Sequence, residues 1–288
     1  MKNLKNYLLL SACTLAMVSC SKSDDMPVAN HVTLHFNNTF KNTKIILGGA
    51  SSTTATTNTS AVGQVHHLSE LKYVISNIRL IKADGGDIPY HVNDLDKGAT
   101  VIDQAKQASL DYVLTNIPSG TYKQIKFGLG VKQDLNTIDQ VRFPTFYATA
   151  GANDTKMMWE WGTGYRFTKL EGFYEIDNKT MSIHTGSTIE GNEGAYTQGL
   201  DAYRDITLDL TTVAIVGQRA PKITITADFN QLLTGKTNTI TLSTGTGMGN
   251  NATPNVHTAV QMLKFVDNLG GNGSSDVSGM FSISKVEN

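Results

Sequence analysis

Both tryptophans of the 288-residue chain, Trp159 and Trp161, fall within the stretch MMWEWGTGYRFTKLEG, residues 157–172. Met157 and Met158 precede them, and seven histidines are spread along the rest of the chain. The only cysteines are Cys13 and Cys20, close to the N-terminus, so the region that reads as folded contains no thiol. Disulfides, thiolate zinc sites, cysteine ligation of copper and a cysteine nucleophile are excluded there. A metal ion would have to be held by imidazole, thioether, carboxylate or backbone oxygen. If Met157–Trp161 is extended, Met157, Trp159 and Trp161 share one face while Met158 and Glu160 share the other. Taken by themselves, two same-face indoles can close a β-sandwich core, because each ring buries a large apolar area.

The scaffold around these residues reads mostly as strands. In TYKQIKFGLGV (121–131), Ile125, Phe127, Leu129 and Val131 alternate with polar neighbours, the pattern of a half-buried strand. RDITLDLTTVAI (204–215) and KITITADF (222–229) repeat it and read as antiparallel strands with one wet face. LKYVISNIRLIKADGG (71–86) is apolar on both faces, as an interior strand would be, with Asp84-Gly85 turning the chain after it. Gly162-Thr163-Gly164 would likewise turn the chain behind the indoles, and Tyr165–Ile176 would return as a strand. One helix is expected over 253–269, with Thr253 as cap, Pro254 in the first turn, Val256, Val260, Leu263 and Val266 at helical spacing, and Gly270-Gly271 as the stop. Three Ser/Thr/Gly-rich stretches, 48–63, 245–254 and 270–279, read as loops. The fold class is all-β: a predominantly antiparallel β-sandwich with one peripheral C-terminal helix.

The N-terminus carries an address. Lys2 and Lys5 precede the short apolar run Tyr7–Met17, too brief to span a bilayer, and Val18-Ser19-Cys20 reads as a lipoprotein cleavage site. Residues 1–19 are read as a signal peptide, with Cys20 the lipidated first residue of the mature protein. Residues 20–30 are read as a flexible acidic tether, and 31–288 as one β domain. The acidic run behind the cysteine resembles the surface-export signals of Bacteroidota lipoproteins. The expected location is the outer membrane, on its periplasmic or cell-surface face. A formal net charge of −1 without any basic run gives no footing for nucleic acid.

At MMWEWGTGYRFTKLEG the chain resembles the central motif of the MbnP-like family of periplasmic and surface copper-binding proteins. Three further blocks agree in order: LKYVISNIRLIKADGG, LTNIPSGTYKQIKFGLGV (114–131) and SIHTGS (182–187). The resemblance implies copper held by histidines and, in some members, by a tryptophan oxidised to kynurenine, the oxidant being a companion dihaem enzyme of the MauG type. Opening the indole ring gives an aryl amine that can join imidazoles on a soft Cu(I) ion. Carried onto this sequence, the metal candidates are His184 in SIHTGS, Met158 and His66, and the modified-tryptophan candidates are Trp161 and Trp159. Members often place a histidine directly before the first tryptophan and a cysteine shortly after His-x-Gly-Ser. Here those places hold Met158 and, over Thr188–Gly191, no cysteine.

The other histidines read as structural or exposed. His67 would point away from His66 in a strand, His31 and His35 lie in the strand-like HVTLHF, His91 sits in a turn-like region, and His257 falls on the polar side of the expected helix. Glu160, Glu171 and Glu175 do not by spacing form a glycosidase pair, and no nucleophile elbow, Walker loop or zinc-protease helix is present. The function expected is non-enzymatic: a copper-binding lipoprotein that captures or stores the metal at the cell envelope. The alternative is a non-metal surface module that binds a glycan or a partner protein.

Overall fold

The computed structural model describes residues 29–151, 155–159, 164–191, 197–243, 251–256, 259–273 and 279–288. The leader, Cys20, nearly all of the tether, Glu160, Trp161 and His257 lie outside the described residues. The principal strands are β1 (Val32–Phe40), β2 (Val65–Lys82), β3 (Asp111–Leu114), β4 (Gly120–Leu129), β5 (Thr168–Tyr174), β6 (Lys179–Thr185), β7 (Arg204–Val216), β8 (Lys222–Asp228), β9 (Asn255–Val256) and β10 (Phe281–Glu287). Helix α1 (Pro144–Ala150) leads into the indole segment, and helix α2 (Ala259–Gly270) precedes the last strand.

The strands form two sheets. The larger has the order β7-β4-β2-β5-β6-β9, and the short strand Thr100–Asp103 also pairs with β2. The smaller has the order β10-β8-β1, with β3 on the other edge of β1. β2 is paired along both edges, and Tyr73, Val74, Ile75, Ile78 and Leu80 are all buried, so both of its faces are covered, as its doubly apolar sequence requires. Gly85 takes φ 96°, the left-handed conformation that the turn after β2 requires. The alternation read in β4 and β7 buries Ile125, Phe127, Ile206 and Leu208.

The inner faces meet in an aromatic cluster. Phe36 of β1 packs edge-on against Tyr73 of β2 and Phe127 of β4, and Phe281 of β10 touches both Tyr73 and Phe127. The Tyr73 hydroxyl, fully buried, donates to Asn38 Oδ1 at 2.8 Å, and Asn38 Nδ2 donates to Gln104 at 2.9 Å. These core polar groups are therefore satisfied internally.

Three details differ from the sequence reading. KITITADF, as β8, pairs parallel with β1 and antiparallel with β10, so the smaller sheet is mixed. The helix begins at Ala259, not at 253: Asn255–Val256 run parallel to β6 as β9, and the Pro254 carbonyl accepts from Ser182 N. Sheet pairing outcompeted the cap and the proline that suggested an earlier start. Met262, Phe265, Val266 and Leu269 are buried, so α2 seats one full apolar stripe on the sandwich. Finally, the chain closes with β10, a strand that gives β8 its second partner in the smaller sheet.

Candidate functional site

β5 and β6 form an antiparallel pair beside β2, and their register builds two rows of side chains across the large sheet. Lys72, Lys169 and His184 lie opposite one another in one row, and Glu70, Glu171 and Ser182 in the next. These residues stand on the face away from the smaller sheet, because Tyr73, the neighbour of Lys72, points into the aromatic cluster. His184 is buried, and its Nε2 lies 3.1 Å from Glu171 Oε1 and 3.2 Å from Ser182 Oγ.

Charge surrounds the imidazole. Lys169 Nζ donates to both oxygens of Glu70 at 2.9 and 2.8 Å and lies 3.6 Å from Glu171. Lys72 Nζ donates to Glu70 at 2.6 Å and stands 4.0 Å from Asp103. The carboxylates beside these two enclosed amines offset the cost of burying them. The hydrogen bond from His184, helped by the Lys169 charge, brings the Glu171 carboxyl down to about 2. Burial lowers the His184 pKa, against the raising pull of Glu171 and with help from the Arg166 charge. A neutral imidazole that donates Nε2–H to Glu171 carries its lone pair on Nδ1. Carboxylate orientation of this kind is how metal-ligating histidines are fixed.

The indole segment arrives at the same corner. An antiparallel bridge joins Met158 and Tyr165, and Arg166 N donates to the Met157 carbonyl, so the two described arms pair; the expected turn at Gly162-Thr163 lies outside the described residues, and β5 itself starts only at Thr168. Trp159 is 5% exposed, and a Cβ added to Gly186 would lie 2.9 Å from its Cζ2 and 3.1 Å from its Nε1. Gly186 directly follows β6, two residues beyond His184. Only a glycine there lets the ring approach so closely. The Arg166 guanidinium carbon stands 5.4 Å from the ring of Trp159.

The remaining candidates are placed elsewhere. Met158 packs its sulfur over Gly151, where an added Cβ would collide with Sδ; the methionine serves packing on the side opposite Trp159. His66 does not join His184. It pairs with Tyr174, five residues along β5 from the partner of His184, a separation of about 16 Å at ~3.3 Å per residue. Its ring also faces the other way, edge-on to Phe40 in the core at 5.3 Å. Burial drives its pKa down to about 4. His67 turns to the outer face against Phe173, His35 hydrogen-bonds Asp111 across β1 and β3, and His91 occupies a turn with φ 44°. Among the described residues no group of three or more His, Cys, Asp or Glu side chains converges. Sequence reasoning missed Lys72, Lys169, Glu70 and Arg166, which a strand pattern alone would leave as solvated positions. The apolar character of both faces of β2 was the available signal that these charges would be covered.

Among the described residues no helix is long and apolar enough to cross a membrane. The family model of MbnP matches residues 29–258. The solved structure of MbnP from Methylosinus trichosporium is similar with a TM-score of 0.54 at 13% identity, covering 88% of this chain and 98% of that one, a likeness of fold. No curated protein matches the sequence. The chain belongs to the MbnP family.

Proposed function

We propose, from that membership and from the corner built around His184, that the protein binds copper at the cell envelope, capturing or storing the metal without turnover. The observation that carries the reading is that SIHTGS and MMWEWGTGY, distant in sequence, meet: Trp159 lies against Gly186, two residues from a buried, carboxylate-oriented imidazole. Imidazole is a ligand suited to Cu(I), and Glu171 fixes the His184 ring. His184 is the one primary ligand assigned, with Glu171 behind it, because Met158 and His66 point elsewhere.

Trp159 is a poor substrate for oxidation. It is enclosed, and a guanidinium over its ring disfavours the loss of an electron. Trp161, outside the described residues, remains the candidate for conversion by a dihaem partner enzyme. Anchoring through a lipid on Cys20 would hold the domain at the outer membrane.

The test is copper stoichiometry under reducing conditions for wild type and His184→Ala, together with mass spectrometry of the tryptic peptide 157–166 from protein made in its own host. Binding by the wild type that is largely lost in His184→Ala is the expected result. A wild type that binds no copper and has both indoles intact would overturn the reading in favour of a surface module for a glycan or protein.

A further inference from the structure

Two cationic side chains reach from the large sheet to the segment that carries Trp159. Lys72 Nζ donates to the Thr155 carbonyl at 3.2 Å, and Arg166 Nη1 donates to the Lys156 carbonyl at 2.8 Å. Both cations are nearly inaccessible, Lys72 at 7% and Arg166 at 5% exposure. Apolar side chains of similar volume would fill these places at lower electrostatic cost. What a buried cation adds is a directional hold on a backbone oxygen.

The hold is itself anchored. Glu70 accepts from Lys72 on one side and from Lys169 on the other, and Lys169 borders Glu171, which orients His184. One continuous polar chain thus runs from the imidazole through Glu171, Lys169, Glu70 and Lys72 to the Thr155 carbonyl. Arg166 closes the other flank, bonded to Lys156 and stacked near the indole.

We propose that Lys72 and Arg166 are positioning residues that fix the segment Thr155–Trp159 on the sheet, so that the indole lies against Gly186 beside His184. The effect on copper rests on the function proposed above; the effect on the indole does not. The experiment uses a Trp161→Phe background, in which Trp159 is the sole tryptophan. Lys72→Met, Lys72→Arg and Arg166→Met are each compared with that parent by indole emission maximum, acrylamide quenching and amide exchange of 155–159, and with the wild type, Trp161 retained, by Cu(I) affinity, with far-UV circular dichroism checking the fold.

Lys72→Met and Arg166→Met should shift emission to the red, raise quenching and speed exchange at 155–159 with the sheet spectrum intact, and Lys72→Arg should restore the parent values. Copper affinity should fall about 10–100-fold in the two methionine variants, the usual loss for groups that orient ligands, and recover in Lys72→Arg. Unchanged emission, quenching and exchange in folded variants would overturn the proposal. So would a shifted indole without any loss of copper affinity, as regards its role in the site. Should Lys72→Met fail to fold, Arg166→Met decides by the same readouts. A wild type that binds no copper would refute the proposed function, while the indole readouts in the Trp161→Phe background would still decide the clamp.

Discussion

Acidification should cost this protein stability through His66, a residue outside the proposed site. Its imidazole is buried against Phe40, and desolvation by that burial brings its pKa from 6.5 to about 4 in the fold. The folded state therefore favours the neutral ring, whereas the unfolded chain takes up a proton as pH falls through the ordinary value. The contribution is complete above pH 6.5, shrinks as pH falls toward 4, and levels off once the folded form is protonated as well. Each unit of difference is worth ~1.4 kcal/mol, so the loss approaches about 3 kcal/mol at the acid end of that window. The assay is urea unfolding of wild type and His66→Leu at pH 7 and pH 4, comparing the two pH-dependent losses. Leucine does not titrate and suits an apolar neighbourhood, so the variant should lose less stability on acidification by about that amount. Glu171 confounds little: its depressed carboxyl gives stability that is present above its ordinary range near 4.5 and is lost as pH falls toward about 2. Equal losses in the two proteins would refute the claim that burial of His66 sets the acid sensitivity.

Gly186→Ala should place a Cβ 2.6 Å from the Tyr165 carbonyl and 2.9 Å from Trp159 Cζ2, costing about 1–3 kcal/mol by overpacking and moving the indole emission; an unchanged Tm and spectrum would contradict the contact. Cys20→Ala should abolish labelling by a palmitate analogue and release the protein from the membrane fraction. A variant that stays labelled and membrane-bound would end the lipid-anchor reading.

Local and periodic features were legible in the chain before any packing was known. Alternating runs specified half-buried strands, the doubly apolar run specified an interior strand, and Asp84-Gly85 specified a turn, because each depends on nearest neighbours and on the period of the backbone. The ordered motif blocks likewise pointed to His184 and to the indole pair. The rest depends on partners far away in the chain, and so it waited for the assembled fold. β8 lies parallel to β1 across most of the sequence, and residues 255–256 joined β6 although Pro254 looked like a helix start. The face of a side chain is equally beyond local pattern. An irregularity between Leu68 and Glu70 in the pairing of β2 with β5 breaks the simple alternation from His66 to Lys72. His66 is thereby sent into the core while Glu70 and Lys72 remain on the side of His184. Whether a charge on a strand meets water or another charge is settled only when the strands come together, and here that register turned two lysines, an arginine and two glutamates into the surroundings of one imidazole.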